Sequence, residues 1–345
     1  MRLLVVTCFL LIFSIYVPVC IGSSRSIRRN EVKNDPQTIQ CLRMKQHLFE
    51  DIFDAKLLRD EFERYLPVFL KTNFDTSGSR TLSGHEEFNL LGPIGPQCKT
   101  PIEHYGEKDE EKKACGLRQL QTIHASQSSS ECVIYSFGCN NVWSFEEEIV
   151  KKTNCRVETF DCTMSKDAKV PKHLQSRVRL HTVCIGDSSY VNELGQKFLP
   201  WSDLHELTGL RDSPAYLKID IEGYEFPVIQ SIIKSGKQLP LQIAMEIHLI
   251  RMEKGKYRED YHVPSIELYS FINLLYKYGG YYLIDRRDNF LCPHCSEVLL
   301  ARLDCFSASP SAMNQEAIKR MMDSTKQNPL FIKAFQHSIN SSYYK

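Results

Sequence analysis

The sequence predicts an α/β protein with a mostly parallel sheet, covered by helices on both faces and preceded by an N-terminal helical extension. Three observations predict it. Strand and helix signals alternate from residue 132 onward, the pattern of β-α-β units. The strand candidates are near-continuous apolar runs such as "LQIAME", as expected of strands buried on both faces. Several of them end abruptly on Gly, Asp or Glu, at the carboxyl ends where open parallel sheets place their ligands.

The elements follow in chain order. Arg2 precedes an almost uninterrupted apolar stretch from Leu3 to Ile21, closed by Gly22, Ser23 and Ser24. Residues 1–22 are therefore expected to be a cleaved signal peptide or an uncleaved signal-anchor. Pro18 and the small residues around Gly22 fit cleavage, while Arg25, Arg28 and Arg29 on the far flank weaken the anchor. Either form delivers the body of the chain outside the cell or into the endoplasmic reticulum and Golgi lumen, with membrane attachment only in the uncleaved case. Thirteen cysteines fit that compartment. Eleven lie beyond the leader, an odd number, so at least one thiol stays free or pairs between chains, and the connectivity stays open. Asn340-Ser341-Ser342 is an acceptor sequence for glycosylation. A net charge of +1 gives no basic footprint, so no nucleic-acid partner is expected.

Residues 23–130 read as a helical stem followed by a polar linker. Ile39, Leu42, Phe49, Ile52 and Phe53, then Leu58, Phe62, Leu66 and Phe69, repeat at helical spacing over 36–70. From Lys71 to Ser130 the chain is polar, with "GEKDEEKK" at 106–113, and reads as a loop-dominated connection that Cys98 and Cys115 are placed to hold. The domain proper spans 131–345 and closes with a C-terminal helix. Strands are predicted at 132–137, 156–160, 178–185, 215–220, 241–247, 280–285 and 297–303. Helices are predicted at 145–153, 201–208, 225–235, 264–278 and 313–336.

The first strand ends in "YSFGCNN", so Ser136 and Gly138 are candidates for contact with a cofactor. Ser144 and Glu147 are spaced as a capping box that starts the next helix. Glu146, Glu147 and Glu148 in its first turn suit the helix dipole, and would repel a pyrophosphate bound there. Only one of the three fingerprint glycines of dinucleotide sites is present, which disfavours NAD and FAD. A cofactor with a positive centre and no phosphate suits the loop better, and S-adenosylmethionine is one. Asp161 follows the second strand, 23 residues after Gly138, close to the spacing of an acid that holds ribose hydroxyls. Gly186-Asp187 ends the third strand, where Asp187 could reach the adenine; a plain turn explains it equally.

The strongest segment is "SPAYLKIDIEGYEFPVI", residues 213–229. A strand delivers Asp220 and Glu222 to its carboxyl end, Gly223 turns the chain, and Glu225 opens a helix. Lys218, Asp220 and Glu222 share one side while the chain stays extended. An ion pair from Lys218 to a carboxylate is the plainer explanation of these charges. "LPWSDLHELTGLRDSPAYLKIDIEGYEFPVI" resembles the Asp-x-Glu-Gly-x-Glu segment of FkbM-type methyltransferases, with its preceding leucine-rich helix. "CVIYSFGCNNVWSFEEEI", "VETFDCT" and "LQIAMEIHLI" resemble the animal methyltransferase-like proteins more closely still. The resemblance covers about residues 130–305. It implies a Rossmann-like class I fold, S-adenosylmethionine as cofactor, and O-methylation of a hydroxyl. Cys139, Asn140 and Asn141 depart from the common motif, which has further small residues there.

For methyl transfer to a hydroxyl, Asp220, Glu222 and His248 are the candidate catalytic residues, with Glu246 beside them at the end of the fifth strand. The expected acceptor is a hydroxyl-bearing small molecule or glycan. The same carboxylates and histidine could instead hold a divalent cation, and "CPHC" at 292–295 begins like a zinc site but lacks a second pair; no metal is assigned. Two other classes stay open. One is a luminal glycosyltransferase using Asp220 and Glu222 on a metal-diphosphate, and the other is a degenerate methyltransferase fold that only binds.

Overall fold

In the computed structural model the apolar runs become the strands of one seven-stranded sheet. The structure describes residues 35–49, 84–107, 110–125, 131–165, 167–186, 188–253, 256–262 and 271–306, with the single positions 60, 64 and 268. The leader, the second half of the 36–70 helix, positions 264–267, 269 and 270 of the 264–278 helix, Asp187, the 313–336 helix and the Asn340 sequon lie outside the described residues.

Before the sheet come α1 (Pro36–Leu48), a 3-10 helix (Gly84–Leu91), the hairpin strands β1 (Glu103–Tyr105) and β2 (Lys112–Ala114), and α2 (Leu117–Ala125). The domain proper runs β3 (Val133–Phe137), α3 (Ser144–Lys152), β4 (Arg156–Phe160), β5 (Val178–His181), β6 (Cys184–Ile185), β7 (Tyr190–Val191), β8 (Lys197–Leu199) and α4 (Trp201–Thr208). It continues with β9 (Tyr216–Ile219), α5 (Glu225–Ser235), β10 (Gln242–His248), the pair β11 (Ile250–Glu253) and β12 (Lys256–His262), a π-helical turn (Leu274–Gly279), β13 (Tyr281–Asp288) and β14 (Cys295–Arg302).

The sheet order is β13-β14-β10-β9-β3-β4-β5. The five strands from β10 to β5 are parallel, and β14 lies antiparallel between β10 and β13. Every residue of β3, β9 and β10 is buried, so both faces of the sheet are covered. The chain moves outward from β3 to β4 on one side and later returns to β9 on the other. This reversal puts a topological switch point at the carboxyl ends of β3 and β9, where such sheets place their ligands. Beneath it an edge-to-face aromatic cluster joins the strands to α4. The ring centroids are 5.2 Å apart for Tyr135–Phe160, 5.4 Å for Phe137–Phe160 and 5.5 Å for Tyr135–Trp201.

Several expectations need correction. The predicted strand 178–185 breaks at the exposed Thr182, and its second part, β6, leaves the main sheet to pair with β8. The capping box does not form. Ser144 Oγ accepts from the Glu107 amide at 3.2 Å, and α3 starts without a side-chain cap. The 264–278 helix is α-helical at 271–273 and continues as a π-helix from Leu274 to Gly279. The polar stretch before residue 130 is, where described, folded onto the sheet. Gln242 of β10 bonds both backbone groups of Cys115, at 2.9 and 2.7 Å, and the Tyr216 hydroxyl donates to the Lys113 carbonyl at 2.6 Å.

Among the described residues five disulfides tie the fold: Cys41–Cys305, Cys98–Cys115, Cys132–Cys155, Cys162–Cys184 and Cys292–Cys295. The "CPHC" motif is therefore a disulfide and not a zinc half-site. Such a set fits an oxidising compartment. Among the described residues no helix is long and apolar enough to cross a membrane. Cys139 is the free cysteine among the described residues, buried, and burial pushes its thiol up to about 12. Peptide mapping without reduction should recover these five linkages. Cys139 should stay unalkylated in the native protein and react only after denaturation; fast alkylation of native Cys139 would contradict the packing around the loop.

Candidate active site

The loop after β3 is shaped by one forced glycine. Gly138 has φ +76°, and a Cβ there would lie 1.8 Å from the Asp220 carbonyl oxygen. Its amide donates to the Phe160 carbonyl at 3.0 Å, and its own carbonyl accepts from Lys218 Nζ. Asn140 and Asn141 follow at φ 45° and 59°. Asparagine is among the few residues that tolerate this region, so these two complete the turn that small residues make in the common motif.

Asp161, at the end of β4, holds this loop. Its Oδ2 accepts from the amides of Cys139 and Asn140 at 3.1 and 2.8 Å. Its Oδ1 accepts from the amide and hydroxyl of Thr163 at 2.9 and 2.6 Å. Both oxygens expected to meet a ribose are thus already engaged within the protein. Ser136 is fully buried, and its hydroxyl has no hydrogen-bond partner. Glu146, read as one of three dipole-complementing acids, turns inward. Thr159 donates to one of its oxygens at 3.1 Å, and the other has no hydrogen-bond partner. Gly186, next to Asp187, is anchored by its amide to the Leu199 carbonyl at 2.9 Å.

On the other side of Gly138, β9 ends and releases Asp220. The backbone then turns through Glu222, at φ 57°, and Gly223 into α5. A glutamate at positive φ is uncommon and costly, and such strain collects at functional sites. Glu225, fully buried, accepts from the amides of Ile221 and Gly223 at 3.3 and 3.2 Å and from His248 Nδ1 at 3.1 Å. His248 then points Nε2 at Glu222, 3.5 Å away, and at Glu246, 3.6 Å away. Asn289 donates to the other oxygen of Glu246 at 2.9 Å. The structure therefore brings Asp220, Glu222, Glu246 and His248 to one mouth, with the ligand atoms of Asp220, Glu222 and His248 within 4.8 Å of one another.

Two buried lysines neutralise this cluster. Lys112 of β2, with a side chain 0% exposed, lies 3.1 Å from Asp220 and 2.7 Å from Glu297. Lys218 pairs with Glu110 at 2.9 Å, so the ion pair expected for Lys218 exists, with a partner from the polar stretch. Lys112, Glu110, Glu225 and Glu297 are site residues that the sequence reading missed or did not place. The charge run at 106–113 was the available signal for the first two.

Electrostatics separate the roles. Burial alone would raise the Asp220 carboxyl, but Lys112, Lys218 and His248 outweigh it and hold the pKa below the ordinary value. Burial, together with Asp220, Glu225 and Glu246, raises Glu222 against the pull of His248. Burial also dominates at Glu297 and, with Glu246 and Asp220 nearby, pushes it up to about 7 despite Lys112. Burial would lower His248, but Glu225, Asp220 and Glu246 reverse that and raise it to about 10. His248 is an imidazolium at neutral pH.

An α/β sheet with a topological reversal, a glycine turn at the first strand end and a carboxylate cluster beside it is the layout in which open α/β sheets place small-molecule ligands. The profile of a family described as methyltransferase domain matches residues 96–298, and the chain belongs to that family. Methyltransferases of this family use S-adenosylmethionine. Solved structures similar to the chain include the methyltransferase FkbM from Methylobacillus flagellatus KT, at 16% identity and TM-score 0.34, over 51% of this chain and 46% of that one. The chain thus spans about half the length of that protein. The Methanococcus jannaschii fibrillarin pre-rRNA processing protein matches at 9% identity and TM-score 0.30, over 58% and 82% of the two chains. An O-methyltransferase family 2 protein from Planctomyces limnophilus matches at 12% and 0.29, over 51% and 52%. No curated protein matches the chain.

Lys112→Met leaves Asp220 and Glu297 buried without their cation and should cost about 3–5 kcal/mol in urea unfolding. A loss under about 1 kcal/mol, the range of surface pairs, would contradict the buried clamp. The raised pKa of His248 contributes stability that is full below about pH 6.5 and lost as pH rises through about 10. Glu297 acts in the same sense between about pH 4.5 and 7. The thermal midpoint should therefore fall from pH 7 to 10, and His248→Gln should flatten that decline; an unchanged slope in the variant would remove His248 from the account.

Proposed function

We propose that this chain is an S-adenosylmethionine-dependent methyltransferase of the secretory pathway that methylates a hydroxyl on a glycan or small molecule. One observation carries the reading: the Gly138 loop and Asp220 touch through their backbones, so the cofactor loop and the carboxylate mouth are two walls of one crevice. The donor set suits the cofactor. The mouth is rich in carboxylates that favour a sulfonium, and its two lysines are both engaged with carboxylates, which disfavours a diphosphate. That speaks against a nucleotide-sugar and its transfer. The disulfides and the apolar leader support the compartment.

When bound, S-adenosylmethionine supplies a methyl group already activated on sulfur. Ser136, the Gly138 turn and Asp161 would line the cofactor side, and Asp187 is carried over from the sequence reading as the candidate for the adenine. Glu222 is the best-placed proton acceptor. Its side chain is 47% exposed, burial raises its pKa, and its buried Oε2 faces His248 at 3.5 Å. Asp220, kept ionised by Lys112, accepts a hydrogen bond from the acceptor hydroxyl and orients it. His248, holding its proton, steers Glu222 rather than acting as a base. A second reading, a methyltransferase fold that binds without transferring, has one observation in its favour: both oxygens of Asp161 are already engaged.

Purified protein incubated with isotopically labelled methyl donor and a luminal extract should place label on glycan or small-molecule hydroxyls. Glu222→Gln should lower turnover by about 10²–10⁴-fold with cofactor affinity retained. Asp220→Asn should lower turnover more than affinity. Label confined to protein nitrogen would overturn O-methylation, and cofactor binding without any transfer would favour the second reading.

A further inference from the structure

We propose that the Cys162–Cys184 disulfide is a positioning element of the cofactor pocket, so that cofactor affinity depends on its being formed. The inference rests on the reading of the β4 and β6 ends as the ribose and adenine side of the crevice. Cys162 directly follows Asp161, whose carboxylate gathers the amides of Cys139, Asn140 and Thr163. Cys184 opens β6, which leaves the main sheet and pairs instead with β8. The small sheet of β6, β7 and β8 therefore has no ladder to β5. Its tie to the end of β4 is this disulfide, helped by a long hydrogen bond of 3.5 Å from Gln196 to the Cys162 carbonyl. The Asp161 amide still reaches the His181 carbonyl of β5 at 3.1 Å, and the covalent link carries that tie beyond the ladder to the start of β6.

A second disulfide provides a matched comparison. Cys132–Cys155 joins the starts of β3 and β4, at the opposite ends of the same strands, where the Arg156 amide already bonds the Cys132 carbonyl at 2.8 Å. The two bridges span sequence separations of 22 and 23 residues. Chain-entropy effects on the unfolded state are therefore nearly equal, and a difference between their removals reports on the native pocket. Pre-organised loops bind without an ordering cost, and the mouth-end bridge is the one placed to supply that.

The test compares Cys162→Ser/Cys184→Ser with Cys132→Ser/Cys155→Ser by calorimetry with S-adenosylhomocysteine and by amide hydrogen exchange without ligand. The mouth-end variant should bind about tenfold more weakly and exchange faster at Cys139, Asn140 and Thr163. The base-end variant should lose comparable stability and keep its affinity. Should the serine pair not fold, Cys162→Ala/Cys184→Val refills the space with apolar atoms. Equal affinity in the two variants, or unchanged exchange at the three amides, would overturn the proposal. If the intact protein bound no cofactor, the reading of the crevice would fall, while the exchange comparison would still decide whether the bridge orders the loop.

Discussion

The ammonium of Lys112, fully removed from water, lies between Asp220 and Glu297, and the order of the other carboxylates at the mouth follows from it. A lone lysine at that depth would surrender its proton, because burial disfavours the charged form. Here the adjacent carboxylates reverse the balance and raise its pKa. Asp220 in turn stays ionised, which leaves the raised pKa values to Glu222, Glu246 and Glu297. One buried cation from a short hairpin thus divides a group of similar acids into one that holds charge and others closer to exchanging protons.

The second constraint is steric. Gly138 brings two strand ends into backbone contact, and Lys218 locks the approach by taking the Gly138 carbonyl. Glu225 does the corresponding work on the far side, capping the turn after β9 while orienting His248. The strained backbone at Glu222 lies between these fixed points, and its side chain is the most exposed of the mouth carboxylates. Rigid support around one reachable acid is the arrangement that positional catalysis requires.

Much of this was legible in the sequence. The strands β3, β4 and β9 are apolar runs that stop at glycine or aspartate, β10 is one that ends at His248, and α4 and α5 end at Gly209 and Gly236, both left-handed caps. Their bounds could be read because hydrophobic periodicity and cap chemistry are local. The hairpin was not legible: a run such as "GEKDEEKK" has the same composition whether it meets water or buried carboxylates. The break between β5 and β6 depends on pairing with β8, which no local signal announces. Ser144 failed as a cap because the Glu107 amide claimed its hydroxyl, and the donors on Asp161 come both from the adjacent Thr163 turn and from the distant Cys139-Asn140 pair. The strand-end carboxylates, Lys218 and His248 could be placed near one another from the sequence, while Lys112 and Glu110, which pair with Asp220 and Lys218, could not.

The central claim is that the Gly138 turn and the Asp220 turn are two walls of one cofactor crevice. Hydrogen exchange with and without S-adenosylmethionine tests it most directly. The account predicts new protection at residues 138–141 and 220–223 together, with little change at the amino ends of β3 and β4. Protection confined to other surfaces, or to one wall alone, would contradict it.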